Sequence, residues 1–258
     1  MSADVIFTGR NSQIAEYFVH DYDYATYDLE DTSTWDTVLD CKYLFLLLPK
    51  HPNLLELSKQ FMLAAADSGI DQIIKIGSLG PYRVIHQQLE CFMRECRVAY
   101  TSFDIAPLMN NIFTEQYDNA VLENYRGEAT APYLDPRCLA KAIELCIGDT
   151  IHYNKNYAMT GPRQLSIADV SCSLIAGGWP VKIRIDDIGY DATHASLRKL
   201  DADHCLMKQL GLRYQTDAWS PAVSNDWLKF NAYHRTLDEF IAQDSSIYST
   251  RMELDLHL

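Results

Sequence analysis

The sequence lacks a long apolar segment. Its longest apolar run, Tyr43–Pro49, is far shorter than the roughly 20 residues that a helix needs to cross a bilayer. The opening residues, Met-Ser-Ala-Asp-Val, also lack the basic and apolar regions of a secretory signal. We therefore predict a soluble, cytoplasmic protein that does not act on a membrane.

Basic residues are scarce. The 258 residues include 22 Lys and Arg against 35 Asp and Glu, which gives a formal charge of −13. A surface of this charge repels a phosphate backbone rather than attracting it. The composition therefore argues against nucleic acid as a direct partner.

Several chemical motifs are also absent. The seven cysteines include no C-x-x-C pair, so we expect reduced thiols in a reducing compartment. The eight histidines show no H-E-x-x-H or other metal-ligand spacing. The Gly-Ser-Leu-Gly at 77–80 is not the G-x-S-x-G of a hydrolase. We predict no metal site and no hydrolase nucleophile.

Strand and helix patterns alternate from Val5 to Pro107. The strand candidates are VIFT, YATYDL, KYLFLLL, QIIKIGS and AYTSFDIAP, and helical spacing is clearest in NLLELSKQFMLAAADSG. KYLFLLL is apolar on both faces, as a central parallel strand must be. Short strand–helix–strand connections of this kind predict an α/β fold with a doubly wound parallel sheet.

Six segments occur in an order that resembles one known family. They are VIFTGRNSQIA, YLFLLLP, AAADSGIDQIIKIGSLG, HQQLECFMRECRVAYTSFDIAPLMNN, PYLDPRCLAKAIE and YAMTGPRQLSIADVSCSLI. Together they resemble the NmrA-like branch of the atypical short-chain dehydrogenases, over roughly Val5 to Gly178. The resemblance implies a Rossmann-like domain, usually with an NAD(P)(H) site, and a small-molecule pocket beside it. Some members of the family are reductases, and others bind the cofactor only to sense redox state.

Two domains follow from this resemblance and from the looser order after Pro107. We predict a Rossmann-like domain over residues 1–130. The remainder, 131–258, is expected to be a small C-terminal α/β subdomain that partly completes the sheet and supplies one wall of the pocket. Its helices are expected at CLAKAIELCIGD, SIADVSCSLIAGG and RTLDEFIAQDS, and its strand at NYAMTG.

The turn after the first strand is a degenerate version of the family's glycine motif. The family pattern is close to T-G-A-T-G-x-x-G, whereas residues 8–15 read Thr-Gly-Arg-Asn-Ser-Gln-Ile-Ala. Gly9 keeps the tight turn, but Ser12 stands where the backbone should approach a pyrophosphate. The helix N-terminus and Arg10 still favour an anion. The predicted cofactor contacts are Gly9, Arg10, Asn11, Ser12, Gln13, Ile14, Leu48, Pro49, Gly77 and Ser78.

The passage that follows this loop is short. Only 31 residues separate Asn11 from Tyr43, which leaves room for one helix, one strand and one short helix. A full dinucleotide-binding half needs a further strand–helix unit, with an acidic or basic residue that reads the adenine ribose. Asp28 or Asp31 is a poor substitute for that residue. NAD(P)H is therefore a candidate cofactor whose binding this passage puts in doubt.

The candidate catalytic residues lie on one helix. Tyr82, His86 and Glu90 are spaced i, i+4, i+8, so they share a face near the carboxyl ends of the strands. Ser78 and Tyr82 approximate the Ser and Tyr-x-x-x-Lys pattern of short-chain dehydrogenases, with His86 in the lysine position, but Tyr82 follows Ser78 by only four residues, a much shorter spacing than in those enzymes. A histidine above a carboxylate could act as general acid or base near neutral pH. Alternatively, Tyr82 packs in the core while His86 and Glu90 form a surface pair.

Polar residues near the next strand end are the candidate substrate contacts. Asp104 occupies a position where the family usually carries arginine, and it either binds a cationic or hydroxylated ligand or caps the following turn. Asn110 and Asn111 match a family asparagine that lines the pocket. The predicted substrate contacts are Asp104, Leu108, Asn110 and Asn111.

Three functions are compatible with these residues. The leading hypothesis is an NmrA-like oxidoreductase that uses NAD(P)H to reduce a quinone, an imine or an activated alkene. The second is a cofactor-independent isomerase, cyclase or lyase on the same fold. The third is a non-catalytic protein that senses NAD(P) or another ligand. Each hypothesis has a small-molecule partner, and a homodimer is an open alternative to a monomer.

Overall fold

The computed structural model describes residues 5–10, 23–48, 51, 53–80, 83–118, 120–123, 129–184, 221–230 and 234–243. The helix predicted at SQIAEYF lies outside these ranges. So do six predicted site residues, which are Asn11, Ser12, Gln13, Ile14, Pro49 and Tyr82.

A parallel sheet of four strands forms the centre of the fold. Its strands, in spatial order, are β3 (Tyr43–Leu47), β4 (Gln72–Ser78), β5 (Ala99–Ile105) and β8 (Lys155–Met159). β4 and β5 are buried along nearly their whole length, as expected for apolar strands covered on both faces. Their register aligns Ser78 with Ile105, so both strands end at the same edge of the sheet.

Helices cover both faces of this sheet. They are α2 (Leu54–Asp67), α3 (Arg83–Glu95) and α4 (Pro136–Cys146). Ile73 and Tyr100 belong to the core that includes α2 and α3, whereas Ile74 and Phe103 belong to the core that includes α4. The doubly wound α/β fold predicted from the sequence is therefore confirmed. No helix in the described ranges is long and apolar enough to span a bilayer.

The first two strands form a separate small sheet. β1 (Ile6–Gly9) pairs in parallel with β2 (Asp23–Thr26). The chain after β2 packs on α2, because the rings of Tyr27 and Trp35 lie 5.1 and 5.2 Å from the ring of Phe61. A 3-10 turn (Thr32–Thr34) and a four-residue helix α1 (Asp36–Leu39) then lead to β3.

β3 differs from its prediction as a central strand apolar on both faces. In the described part of the chain it pairs with β4 alone, so it is an edge strand of the four-stranded sheet. Leu44 and Leu46 are buried, but Phe45 and Leu47 are 51% and 68% exposed. The prediction of a central position was wrong because an apolar run shows strand character, whereas its neighbours in the sheet are set by distant segments.

The C-terminal part adds a small mixed sheet and two capped helices. The sheet consists of β6 (Tyr117–Asp118), β7 (Val121–Glu123) and β9 (Lys182–Arg184). Helix α5 (Ile167–Ala176) begins with a capping box between Ser166 and Asp169. Thr236 caps the start of the last helix, α6 (237–243), because its hydroxyl accepts a hydrogen bond from the N–H of Glu239. The division into domains at residue 130 stays a prediction.

A buried ion pair connects α4 to the residues before α6. Asp135 caps α4 by accepting a hydrogen bond from the backbone N–H of Arg137. The other carboxylate oxygen of Asp135 accepts a hydrogen bond from Nε of Arg235. Both side chains are buried, so this pair joins segments 100 residues apart inside the protein.

Candidate functional site

A group of buried polar side chains lies between the sheet and α3. β4 contributes Lys75, β5 contributes Asp104, and α3 contributes His86 and Glu90, each at most 9% exposed. Alternate residues of a strand face the same side, and the register aligns Gly77 with Asp104. We call Lys75, His86, Glu90 and Asp104 the buried cluster. It lies close to the carboxyl edge of the sheet, where open α/β sheets bind ligands.

Glu90 is the best-connected member of the buried cluster. Its Oε1 lies 3.3 Å from Nζ of Lys75 and accepts a 2.8 Å hydrogen bond from Oγ of Ser102. Its Oε2 accepts a hydrogen bond from Nδ2 of Asn156. Lys75 also approaches Asp104, with 3.9 Å between Nζ and Oδ1. Side chains from three neighbouring strands thus hold one carboxylate of α3 beneath the surface.

Three polar atoms of the buried cluster have no hydrogen-bond partner in the described part of the protein. They are Nζ of Lys75, Nδ1 of His86 and Oδ1 of Asp104. Folded proteins pair the large majority of such atoms, because an unpaired buried polar group is costly. The cluster therefore has the capacity to bind a further polar group.

Burial and neighbouring charges shift the pKa values of two members of the buried cluster, Asp104 and Lys75. Burial, together with the negative charge of Glu90, raises the pKa of Asp104 to about 7, although Lys75 and Arg83 oppose the change. Burial also lowers the pKa of Lys75 despite the two carboxylates beside it. A carboxyl group with a pKa near 7 exchanges protons at physiological pH, which is the property that a general acid or base requires.

His86 lies in a different environment from the one predicted. It is buried, and it forms no surface pair with Glu90. Burial and the positive charge of Lys75 lower the pKa of His86 to about 3. A histidine with a lowered pKa is neutral at physiological pH, so the catalytic role predicted for His86 stays a prediction, with the neutral imidazole as the form that would donate or accept a hydrogen bond.

Asp104 faces the buried cluster rather than the turn that follows β5. Its Oδ1 approaches Lys75 and lies against Gly77, where an added Cβ atom would collide with that oxygen and lie 2.8 Å from Nζ of Lys75. Of the two predicted roles for Asp104, capping of the next turn is not observed. The absence of a side chain at Gly77, a predicted cofactor contact, makes room for this carboxylate.

Ser78 closes the turn between β4 and α3. Its Oγ accepts a 3.0 Å hydrogen bond from the N–H of Gly80, and the N–H of Leu79 donates to the carbonyl of Ile105. The hydroxyl is thus bound within its own loop. The short spacing from Ser78 to Tyr82, unlike that of short-chain dehydrogenases, fits this local role.

The end of β1 is packed against β2. The N–H of Tyr27 donates a 3.1 Å hydrogen bond to the carbonyl of Gly9. A Cβ atom on Gly9 would lie 2.7 Å from the hydroxyl of Tyr24, so one side of this glycine is occupied by a side chain of the fold itself. Arg10 follows as an exposed residue. Asp28, which comes two residues after β2, accepts a hydrogen bond from the N–H of Glu30 with one oxygen.

The other predicted contacts lie at two places. Leu48 packs at the margin of the core that includes α2. Leu108 forms an isolated bridge beside β5, and the N–H of Asn111 donates to its carbonyl. Oδ1 of Asn110 is buried without a hydrogen-bond partner in the described residues. A substrate pocket lined by these asparagines stays a prediction.

Lys75 was not among the residues that the sequence singled out. It lies in QIIKIGS, whose pattern is typical of an apolar strand, and this pattern gave no sign of its contacts with Glu90 and Asp104. The available signal was the lysine itself, because a lysine in the middle of a fully buried strand is rare unless it is paired. No group of three or more metal-binding side chains occurs within the described ranges.

No protein-family model and no curated protein sequence matches the chain. Solved structures do. The triphenylmethane reductase of Citrobacter sp. complexed with NADP(H) superimposes with a TM-score of 0.70 and 14% identity, covering 92% of this chain and 89% of the other. An NADPH-dependent quinone oxidoreductase from Escherichia coli complexed with NADPH gives 0.66 and 15%, covering 93% and 90%.

NmrA, a negative transcriptional regulator in complex with NADP, is also similar. Its TM-score is 0.63 at 15% identity, and the match covers 99% of this chain and 91% of NmrA. Likenesses at this level of identity show the fold. The chain has the Rossmann-like α/β fold of NmrA and of these reductases, as the sequence resemblance predicted.

Proposed function

We propose that the protein is a small-molecule oxidoreductase that uses NAD(P)H to reduce a quinone, an imine or an activated alkene. The observation that carries this proposal is the buried cluster, which places an exchangeable proton near the carboxyl edge of the sheet. The solved reductases of the same fold, described as complexes with NADP(H) or NADPH, support it. When bound, the nicotinamide supplies the hydride.

The described residues fit a dinucleotide in part. Arg10 offers a guanidinium to a phosphate, and Asp28 offers its second carboxylate oxygen to a ribose hydroxyl. The hydroxyl of Tyr24 beside Gly9 takes space on one side of the phosphate turn. The residues that would hold the cofactor are therefore Arg10 and the predicted loop contacts at 11–14, and Asp28 is a poor substitute for a dedicated ribose ligand because one of its oxygens is bound within its own turn.

Asp104 has the properties of the proton source in this proposal. Its carboxyl is partly protonated at neutral pH, and Lys75 stabilises the carboxylate that remains after the proton leaves. Tyr82 and neutral His86 are the candidates to donate or relay that proton to the substrate. Glu90 holds Lys75 in place, so it acts through position rather than by touching the substrate.

Cofactor titration tests the proposal. Purified protein is titrated with NADPH, NADH and their oxidised forms, followed by nicotinamide fluorescence and by thermal shift. We expect saturable binding that is weakened in Arg10→Gln and unchanged in Arg163→Gln, a matched loss of an exposed arginine elsewhere. Absence of binding at millimolar cofactor would rule out the reductase.

A cofactor-independent isomerase, cyclase or lyase is the second candidate. The position of Tyr24 against Gly9 favours it, because that side chain takes space on one side of the phosphate turn. The buried cluster can move protons without a hydride donor. If no cofactor binds, loss of turnover in Tyr82→Phe and His86→Ala on a substrate found by screening supports this enzyme. Cofactor binding without turnover on any quinone, imine or alkene supports a sensor instead. NmrA, which is described as a transcriptional regulator in complex with NADP, is an example of a regulator with this fold.

A further inference from the structure

A concave site lies at the opposite edge of the sheet from the buried cluster. It is a cleft of ≈ 410 Å³, within the size range of small-molecule sites. Its lining residues are Arg94, Arg97, Val98, Ala99 and Asn154. β5 starts at Ala99 and β8 directly after Asn154, so the cleft lies where these two parallel strands begin.

The two arginines of the cleft form no ion pair among the described residues, although the charge of Glu90, four residues before Arg94, acts on the guanidinium of Arg94. No ion pair in that part of the protein includes Arg94 or Arg97, whereas several exposed lysines pair with neighbouring carboxylates. Nε of Arg94 donates a 2.9 Å hydrogen bond to the hydroxyl of Tyr100, which orients its guanidinium. In a chain with a formal charge of −13, two unpaired guanidinium groups at one cleft form a local attraction for anions.

The backbone of the cleft is also unusual. Arg97 and Asn154 have φ values of 61° and 57°, and they are two of the three non-glycine residues with a left-handed backbone in the described ranges. Such conformations are uncommon for an arginine and persist where the surrounding structure requires them. Here the N–H of Asn154 donates a 2.6 Å hydrogen bond to the carbonyl of Tyr100. This hydrogen bond holds the backbone of Asn154 beside the start of β5.

We propose that this cleft binds a small phosphorylated metabolite through its phosphate group. Guanidinium groups present paired N–H donors that match two phosphate oxygens. Asn154, which also lines the cleft, carries a side-chain amide that is a further donor. The polar lining and small volume suit a compact anion rather than a polymer or an apolar ligand. The site is independent of the proposed oxidoreductase activity, because none of its residues belongs to the buried cluster or to the turn after β1.

Inorganic phosphate is the probe for this site. Thermal shift is measured with the full chain in millimolar phosphate and in sodium chloride of equal ionic strength. We expect phosphate alone to raise the melting temperature saturably. Loss of one charge-assisted contact should weaken this apparent affinity about tenfold or more in Arg94→Gln. Arg163→Gln, which removes an exposed arginine away from the cleft, should leave it unchanged.

Arg97→Asn separates binding from folding. Asparagine accepts a left-handed backbone more readily than arginine does, so this variant should melt in chloride at the wild-type temperature or above, yet lose the phosphate response. Phosphate should also shift the NMR amide signals of Val98 and Ala99. The proposal is overturned if Arg94→Gln and Arg97→Asn respond like the wild type, if chloride reproduces the shift, or if Arg10→Gln alone abolishes it.

Discussion

At the scale of single residues, Gly77 determines whether the buried cluster can form. An added methyl group would collide with Oδ1 of Asp104 and lie 2.8 Å from Nζ of Lys75, so both side chains would have to shift. We expect Gly77→Ala to lower the free energy of unfolding by about 1–3 kcal/mol, the usual cost of overpacking a core. Urea denaturation measures this loss.

Gly80→Ala is the matched control for Gly77→Ala. Its new methyl group would meet only Oγ of Ser78, at 3.3 Å, so its effect should be clearly smaller. In the double variant Gly77→Ala/Asp104→Ala the carboxylate is gone, and the glycine substitution should cost less than it does alone. Equal losses in all backgrounds would show that Gly77 and Asp104 do not interact as described.

Asp104 and His86 make opposite contributions to stability as pH changes. The pKa of Asp104 is raised from 3.8 to about 7, so its contribution is fully present below pH 3.8 and is lost as pH rises through 7. The pKa of His86 is lowered from 6.5 to about 3, so its contribution is present above pH 6.5 and is lost as pH falls towards 3. In the wild type the two partly offset each other between pH 4 and 6.5.

Substitution of either residue should reveal the effect of the other on how the free energy of unfolding changes with pH. In Asp104→Asn the free energy of unfolding should rise more steeply with pH between 4 and 6.5 than in the wild type. In His86→Gln it should fall as pH rises over the same range, relative to the wild type. Urea denaturation at a series of pH values measures both slopes. Parallel curves for all three proteins would contradict the environments described for these side chains.

At the scale of elements, α4 and α6 depend on one buried ion pair. Arg235→Met leaves the carboxylate of Asp135 buried without its cation, which typically costs about 3–5 kcal/mol. Guanidinium chloride would mask such a charge effect, so urea denaturation is the suitable measurement. We expect Lys229→Met, which removes an exposed partner of Asp226, to cost at most about 1 kcal/mol. A similar small loss in both variants would contradict a structural role for the Asp135–Arg235 pair.

Elements whose signal is local were predictable from the sequence. α2, α3, β4 and β5 occur where the apolar strand and helix patterns predicted them. The position of β3 within the sheet was not predictable, because pairing depends on segments far away in the chain. Likewise, Ser166 and Asp169 indicate the start of α5 from residues within four positions of each other. The sequence around Asp135 does not indicate its ion pair with Arg235, which lies 100 residues away.

The candidate site was predictable only in its outline. The helical spacing of His86 and Glu90 predicted that they share one face of a helix, and both are buried residues of α3. The lowered pKa of His86 was not predictable, because it depends on burial and on the charge of Lys75, which a strand distant in the chain brings beside α3. A sequence records the titratable groups, but their desolvation and mutual distances exist only in the folded chain.

At the scale of the whole molecule, the fold narrows the function without deciding it. Solved structures with this fold include reductases and a transcriptional regulator, each described as a complex with NADP(H), NADPH or NADP. The function depends on the side chains that this chain carries at three places: the turn after β1, the buried cluster and the basic cleft at the far edge of the sheet. The proposed experiments address these places separately, so one can fail without the others.

The Asp135–Arg235 pair also sets an order of events during synthesis. Ribosomes add about 5–20 residues per second, so Arg235 emerges about 5–20 s after Asp135, which it follows by 100 residues. Throughout that interval the cap of α4 carries a carboxylate without its cation. The interior beside α4 is therefore completed only after residue 235 has been synthesised, later than the four strands of the central sheet.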